Sequence, residues 1–400
     1  MNIEEVRLGD ICTIKGGYAF KSKDFIDNGI PLIRIANIID KSVEFNEGSK
    51  YLPSNYTDKF NEYLIKKGDI LVALSGATTG KYGMYNYDYN ALLNQRVARI
   101  TPNLEYLDPR YLFYYMSKLQ SKILYKASGA AQPNISTNEI SDFLIPLPSI
   151  KNQQKIVMIL DKSKDIINKR KTQIKALDQM SHSIFMDMFG DPISNPKGWD
   201  IMSCKDISYK IGSGATPKGG NASYKDSGIS LIRSMNIYNN YFRYKDLAFI
   251  DEEQAAKLNN VEVYKNDILL NITGASVARC CVVPDDILPA RVNQHVSIIR
   301  VKEEFANYVF LNYLFINDSY QSELWRIATS GGATRQAITK KQIENLPIIL
   351  PPLLMQKDFA SKIEQINKQK VLLQSSVVEL ENLFNSLLQS AFNDELVLNE

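Results

Sequence analysis

Two long stretches of the chain carry the same spacing of apolar positions. Stepping alternately by four and three residues from Ile156 reaches Leu160, Ser163, Ile167, Arg170, Ile174, Leu177, Ser181, Ile184 and Met188, and seven of these ten are apolar. Adding 203 to each number gives Phe359, Ile363, Ile366, Lys370, Leu373, Val377, Leu380, Phe384, Leu387 and Ala391, of which nine are apolar. An apolar period of 3.5 residues is the seam of a left-handed coiled coil. Two unrelated amphipathic helices covering separate cores would not keep one phase or share an ending, as Leu177–Asp191 and Leu380–Asp394 do. The pattern predicts a matched pair of long helices, with Ile156, Leu160, Ile167, Ile174, Leu177 and Ile184 on one seam. Phe359, Ile363, Ile366, Leu373, Val377, Leu380, Phe384 and Leu387 lie on the other.

The segments before each helix also repeat. Arg7–Gly17 and Cys204–Gly214 read as polar-punctuated strands, and GIPLIRIANI at Gly29–Ile38 returns as GISLIRSMNI at Gly228–Ile237. Alternating β-formers between Gly and Asn are a strand signal. Gly68-Asp69-Ile70-Leu71 leads to Ser75-Gly76-Ala77, and Asn266-Asp267-Ile268-Leu269 leads to Thr273-Gly274-Ala275. Asn94-Gln95-Arg96-Val97 recurs as Asn293-Gln294-His295-Val296, and aromatic helical stretches follow at Tyr111–Met116 and Phe310–Ile316. Ser136-Thr137-Asn138-Glu139 and Thr339-Lys340-Lys341-Gln342 are both capping boxes, in which hydroxyl and carboxylate or amide satisfy donors at a helix start. Pro146 and Pro148, then Pro351 and Pro352, end that short helix and introduce the long one.

These elements give a mixed α+β fold built as domain, helix, domain, helix: a first domain at 1–150, a helix at 151–190, a second domain at 191–352 and a helix at 353–400. A helix of about 37 residues is roughly 55 Å long. The connector Gly190–Asp200 spans at most about 40 Å, too short to return the chain for a parallel pair. The expectation is an antiparallel two-helix coiled coil with two similar globular domains at opposite ends, related by a pseudo-twofold axis.

Charge sharpens the pairing. Lys151–Gly190 holds eight Lys/Arg against four Asp/Glu, whereas Leu353–Glu400 holds four against seven, so the helices carry +4 and −3. Opposite signs suit them to each other rather than to copies of themselves. The chain's net charge of +3 leaves only +2 for the domains and connectors (3 − 4 + 3). Four cysteines without paired spacing and two histidines supply no zinc cluster. With no run of about 18 apolar residues and no secretory leader pattern, the expectation is a cytoplasmic protein with reduced thiols.

No catalytic motif survives inspection. Ser75-Gly76-Ala77-Thr78-Thr79-Gly80-Lys81-Tyr82 resembles a phosphate loop, but three residues separate its glycines where four are required, and Tyr82 occupies the magnesium-binding Ser/Thr position. GxSxG and HExxH are missing, as is an Asn/Asp-Pro-Pro-aromatic tetrapeptide. What remains is a basic and aromatic vocabulary of the kind that contacts phosphates and base edges.

The order GGYAFKSKDF, GIPLIRIANI, GDILVALSGATTGK, NQRVARI and NISTNEISDFLIPLPSIKNQQKIV, repeated in GISLIRSMNI, NDILLNITGA and AITKKQIENLPIILPPLLMQ, resembles the DNA-specificity subunit of type I restriction-modification systems over essentially the whole chain. The resemblance implies a non-catalytic DNA reader whose two target recognition domains each contact half of a split, asymmetric site in double-stranded DNA. It also implies helices that dock two modification subunits, which bind S-adenosylmethionine and methylate adenine, and restriction subunits that use ATP and Mg. No cofactor is expected in this chain itself. The alternative is a duplicated coiled-coil scaffold whose end domains bind proteins.

Residues common to both copies, such as Arg34 with Arg233 and Asn94 with Asn293, cannot account for two different half-sites, and suit the fold or phosphate positioning. Residues peculiar to one copy are the candidate base readers: Lys21, Lys23, Lys81, Tyr82 and Tyr85 in the first, and Lys218, Tyr224, Tyr241, Arg243 and Arg335 in the second. Arg96 completes the candidate DNA-contacting set.

Overall fold

The computed structural model describes residues 4–128, 133–330 and 336–392. The chain divides into two units, residues 1–169 with 376–400, and residues 170–375. Each of the long helices, Ile150–Phe189 and Leu353–Ala391, is unbroken and contributes one part to each unit.

In the first unit, strands Lys50–Leu52, Ile30–Ile33, Ala91–Leu93 and Leu64–Ile65 form one sheet in that order. Ile30–Ile33 and Ala91–Leu93 pair in parallel. A second sheet runs Cys12–Gly16, Val97–Pro102, Ile70–Ala73, Tyr82–Met84, Ser42–Val43 and Ile38–Ile39. The second unit repeats the plan. Ala248–Ile250, Ile229–Ile232, Ala290–Val292 and Glu262–Val263 form one sheet, again with a parallel central pair. Ser208–Ser213, Val296–Val301, Ile268–Asn271 and Cys280–Val282 form the other.

The strand predicted at Gly29–Ile38 is shorter than its β-formers suggest. It ends at Ile33 and turns through a 3-10 helix, Ile35–Asn37, because Asn37 Oδ1 accepts from Arg34 N at 3.0 Å and Asn37 Nδ2 donates to Glu44 O at 3.1 Å. Asn236 does the same with Arg233 N and Arg243 O, at 3.0 and 2.9 Å. A side chain offering the backbone its own partners competes with the ladder. Likewise a helical turn, Leu8–Ile11, interrupts the strand pattern at Arg7–Gly17. The aromatic helix is single in the first unit, Pro109–Ala127, but splits in the second into Tyr308–Phe315 and Asp318–Thr329. Asn317 caps the second piece, its Oδ1 accepting from Ser319 N at 3.1 Å. Both capping boxes form, with Ser136 Oγ accepting from Glu139 N at 3.2 Å and Thr339 Oγ1 from Gln342 N at 3.3 Å.

Every position on the two 3.5-residue seams is buried or half-buried. In the second unit the helix segments run antiparallel: Phe189 and Phe185 meet Phe359 at ring-centroid distances of 5.4 and 5.6 Å, and the earlier Asp178 pairs with the later Lys370. In the first unit Ile156, Val157 and Leu160 share a core with Phe384, Leu387 and Ala391. Each seam thus belongs to a domain core as well as to a helix pair.

One device fastens each helix to its domain. Gln153 is fully buried in the first turn of its helix. Its Oε1 accepts from Asp108 N at 2.8 Å, and its Nε2 donates to Tyr106 O at 2.9 Å and Pro148 O at 2.8 Å. Gln356, also fully buried, accepts from Asn307 N at 2.9 Å and donates to Pro351 O at 2.8 Å and Phe305 O at 3.4 Å. Among the described residues no helix is long and apolar enough to cross a membrane.

Candidate nucleic-acid interface

Four segments converge on one edge of each unit. In the first, the basic loop after Gly17 lies against the Asn94-Gln95-Arg96 turn: Tyr18 N donates to Leu93 O at 2.9 Å and Gln95 N to Tyr18 O at 3.0 Å. Glycine is required there, since a Cβ on Gly17 would sit 2.3 Å from Asn94 O. Leu74 N donates to Arg96 O at 2.9 Å, bringing in the Ser75–Gly80 loop, and Gly76 N donates to Pro133 O at 3.0 Å, bringing in the segment before the capping box. The second unit assembles the same four pieces. A Cβ on Gly214 would sit 1.8 Å from Val292 O, Ile272 N donates to His295 O at 3.0 Å, and Gly274 N donates to Gln336 O at 2.9 Å. Local turns in each repeat therefore place Lys21, Lys23, Gln95 and Arg96 on one exposed edge, and Lys218 and Gln294 on the other, with His295 half-buried beside it.

The two edges differ in what they hold out. In the second unit Thr216 Oγ1 hydrogen-bonds Gln294 Oε1, Gln294 Nε2 lies 3.3 Å from His295 Nε2, and His295 Nδ1 lies 2.6 Å from Thr273 Oγ1. One assignment of protons satisfies all three contacts: Thr216 donates to Gln294, Gln294 donates to a neutral His295, and His295 donates from Nδ1 to Thr273. Gln294 then keeps one N–H and one lone pair, the pair of functions that matches adenine N7 and N6. The first unit has Arg96 in place of His295, a side chain suited to guanine O6 and N7.

Several sequence-based expectations need correction. Tyr82 and Tyr85 are not surface readers: they are 3% and 0% exposed. Tyr82 lies in a core strand, and Tyr85 donates to Tyr89 O at 2.8 Å from a cluster with Tyr87 and Phe45. Burial pushes the Tyr82 phenol up to about 12. Tyr224 is half-buried on the second unit's core, its ring 5.2 Å from the Arg233 guanidinium. Arg34 and Arg233 serve the fold, their guanidinium groups donating to the carbonyls of Gly48 and Asp246. Lys81 is half-buried; Tyr241 is exposed and Arg243 half-buried. Arg335 lies outside the described residues. Gln95, Gln294 and the positioning Thr216 escape a search for unique residues, because the glutamine is common to both copies and only its neighbours differ.

The phosphate-loop look-alike is a turn. Thr79 Oγ1 donates to Gly76 O at 2.8 Å and to Pro133 O at 2.9 Å, while Gly76 and Gly80 adopt φ of +85° and +80°.

Comparison with known proteins agrees with this duplicated arrangement. The family described as the type I restriction modification DNA specificity domain matches twice, at residues 1–176 and 196–382. The EcoBI specificity subunit of Escherichia coli is 24% identical, over 98% of this chain and 85% of its own. The MjaIX specificity subunit of Methanocaldococcus jannaschii is also 24% identical, over 98% and 93%. Among solved structures, a chain from work on complex assembly and conformational transition of the type I R-M system superposes with a TM-score of 0.57, at 17% identity and 98% coverage of both chains. The type I S subunit from M. genitalium gives 0.50 at 15% identity, covering 98% of this chain and 97% of its own. The fold is theirs, and with both matched segments together spanning most of its length, the chain belongs to the DNA-specificity subunits of type I restriction-modification systems, non-catalytic proteins that recognise DNA sequence and work with partner subunits.

Proposed function

We propose that each unit reads one half of a bipartite, asymmetric site in double-stranded DNA, that the long helices set the number of unread base pairs between the halves, and that the chain docks two modification subunits and, with them, restriction subunits. S-adenosylmethionine and ATP with Mg belong, in this reading, to those partners. The observation that carries it is the pair of like-built edges with unlike side chains: Gln95-Arg96 in one unit, and Gln294 held by Thr216 and His295 in the other. A shared scaffold positions the DNA while the variable side chains choose bases.

Paired substitutions test it. In the complex with modification subunits, Arg96→Ala should relax base preference at one position of one half-site, and Gln294→Ala at one position of the other. Each costs about 1–3 kcal/mol of discrimination. Selection from a randomised duplex library reads both. Relaxation of both half-sites by one substitution would contradict independent reading.

A further inference from the structure

The second unit holds two arginines around one phenol. Arg279 lies over the Tyr238 ring, 4.4 Å from its centroid, and Arg243 Nη1 donates to Tyr238 Oη at 3.2 Å. All three residues are half-buried, and the exposed Tyr241 ring lies 6.2 Å from that of Tyr238. Among the described residues neither arginine pairs with a carboxylate, although other cations of this unit do, including Lys225 with Asp251 and Lys265 with Asp285. Arg243's hydrogen bond, helped by Arg279, holds the Tyr238 phenol below its ordinary range, so the site favours negative charge at that oxygen.

The arrangement is built rather than incidental. Arg243 follows the Ile237–Tyr238/Tyr241–Phe242 hairpin, and its own N donates to Asn236 O at 2.7 Å. Arg279 is fixed from the other side, its carbonyl accepting from Asn271 N at 2.8 Å. Ala278 before it takes φ of +72°, the left-handed conformation that Gly80 supplies in the first unit. Among the described residues the first unit has no such group: the corresponding positions are Ile39, Glu44 and Lys81, with Ala73 N donating to Lys81 O at 2.8 Å as Asn271 N does to Arg279 O, and Glu44 N donating to Asn37 O at 2.8 Å just as Arg243 N does to Asn236 O. A fold that can carry Ile, Glu and Lys at these positions does not need the phenol and two guanidinium groups together for its stability.

We infer that Tyr238, Arg243 and Arg279 form an anion clamp, peculiar to the second unit, that grips a backbone phosphodiester of the bound duplex. Two guanidinium groups held close together without a carboxylate repel each other until an anion enters, and planar N–H forks suit phosphate oxygens. The clamp gives affinity and register on the second half-site and carries no base preference, which moves Arg243 from base reader to phosphate holder. This inference rests on the proposal that the second unit contacts DNA.

The test uses the full chain complexed with its modification subunits, and two duplexes: the preferred site and one with the second half-site scrambled. Binding is measured by anisotropy from 50 to 200 mM salt. Arg243→Ala and Arg279→Ala should each weaken both duplexes alike, by about tenfold near 0.1 M salt, and lower the slope of log affinity against log salt by about 0.9. Arg279→Lys, which keeps the charge, should restore most of the slope and guards against misfolding. Unchanged affinity and slope, or a lost base preference at an unchanged slope, overturns the clamp. If the unsubstituted complex fails to distinguish the two duplexes, the reading role of the second unit falls instead.

Discussion

Gln356→Ala removes a side chain that is fully buried and makes three hydrogen bonds at the root of the C-terminal helix. The substitution leaves Asn307 N without its acceptor and the carbonyls of Phe305 and Pro351 without their donor. A buried group stripped of its partner costs about 1–3 kcal/mol, the donor more than the carbonyls, so the sum is about 3–5 kcal/mol. Both tryptophans, Trp199 and Trp325, lie in the second unit, so their fluorescence reports that unit alone. With a urea dependence of about 2 kcal/mol per molar, the fluorescence midpoint should fall by roughly 1.5–2.5 M. Gln153→Ala should leave this transition in place and shift only the remainder of the far-ultraviolet dichroism signal, since its three partners belong to the first unit. A shift below about 0.5 M for Gln356→Ala would refute the buried glutamine as an energetic anchor.

Two further outcomes follow from the core and the helices. Burial raises the thiols of Cys204 and Cys281 to about 12, against about 8.5 when unfolded. The unfolded chain therefore loses these protons first, and stability is full below about pH 8.5 and falls as pH rises toward 12. By pH 10 the loss is about 2 kcal/mol per thiol. Cys204→Ala should remove that share of the alkaline slope in urea titrations at pH 8 and 10, and an unchanged slope would count against it. Inserting one heptad into both long helices adds about 10 Å at 1.5 Å per residue, or roughly three base pairs at about 3.4 Å each. The half-site separation should lengthen or activity should be lost, and retained activity at the original separation would refute the helices as spacer.

The helices and the duplication were legible because both are periodic. A 3.5-residue seam and an in-phase repeat survive in the sequence whatever the loops do, and each seam position is protected in the structure. Capping boxes were legible for the same reason, as local hydrogen-bond chemistry at fixed spacing. The contacting residues were not. Tyr82 and Tyr85 looked like surface aromatics because tyrosine is ambiguous between core and interface, and only strand register decides which face it takes. The buried Gln153 and Gln356 left no signal beyond their shared offset, since two of the three partners of each are backbone atoms about 45–50 positions away in sequence. The anion clamp was hidden in an exchange of one basic residue for another: Arg279 stands where the first copy has Lys81, and its partners Tyr238 and Arg243 come from a hairpin about 40 positions earlier.

The claim that two independent readers are joined in one chain is tested most directly by exchanging residues 1–150 for the matching segment of another member of the family. The methylated sites are then sequenced in cells that also supply the modification and restriction subunits. One half-site should change while the other half and the separation stay as they were. A change in both halves, or in neither, would contradict the account.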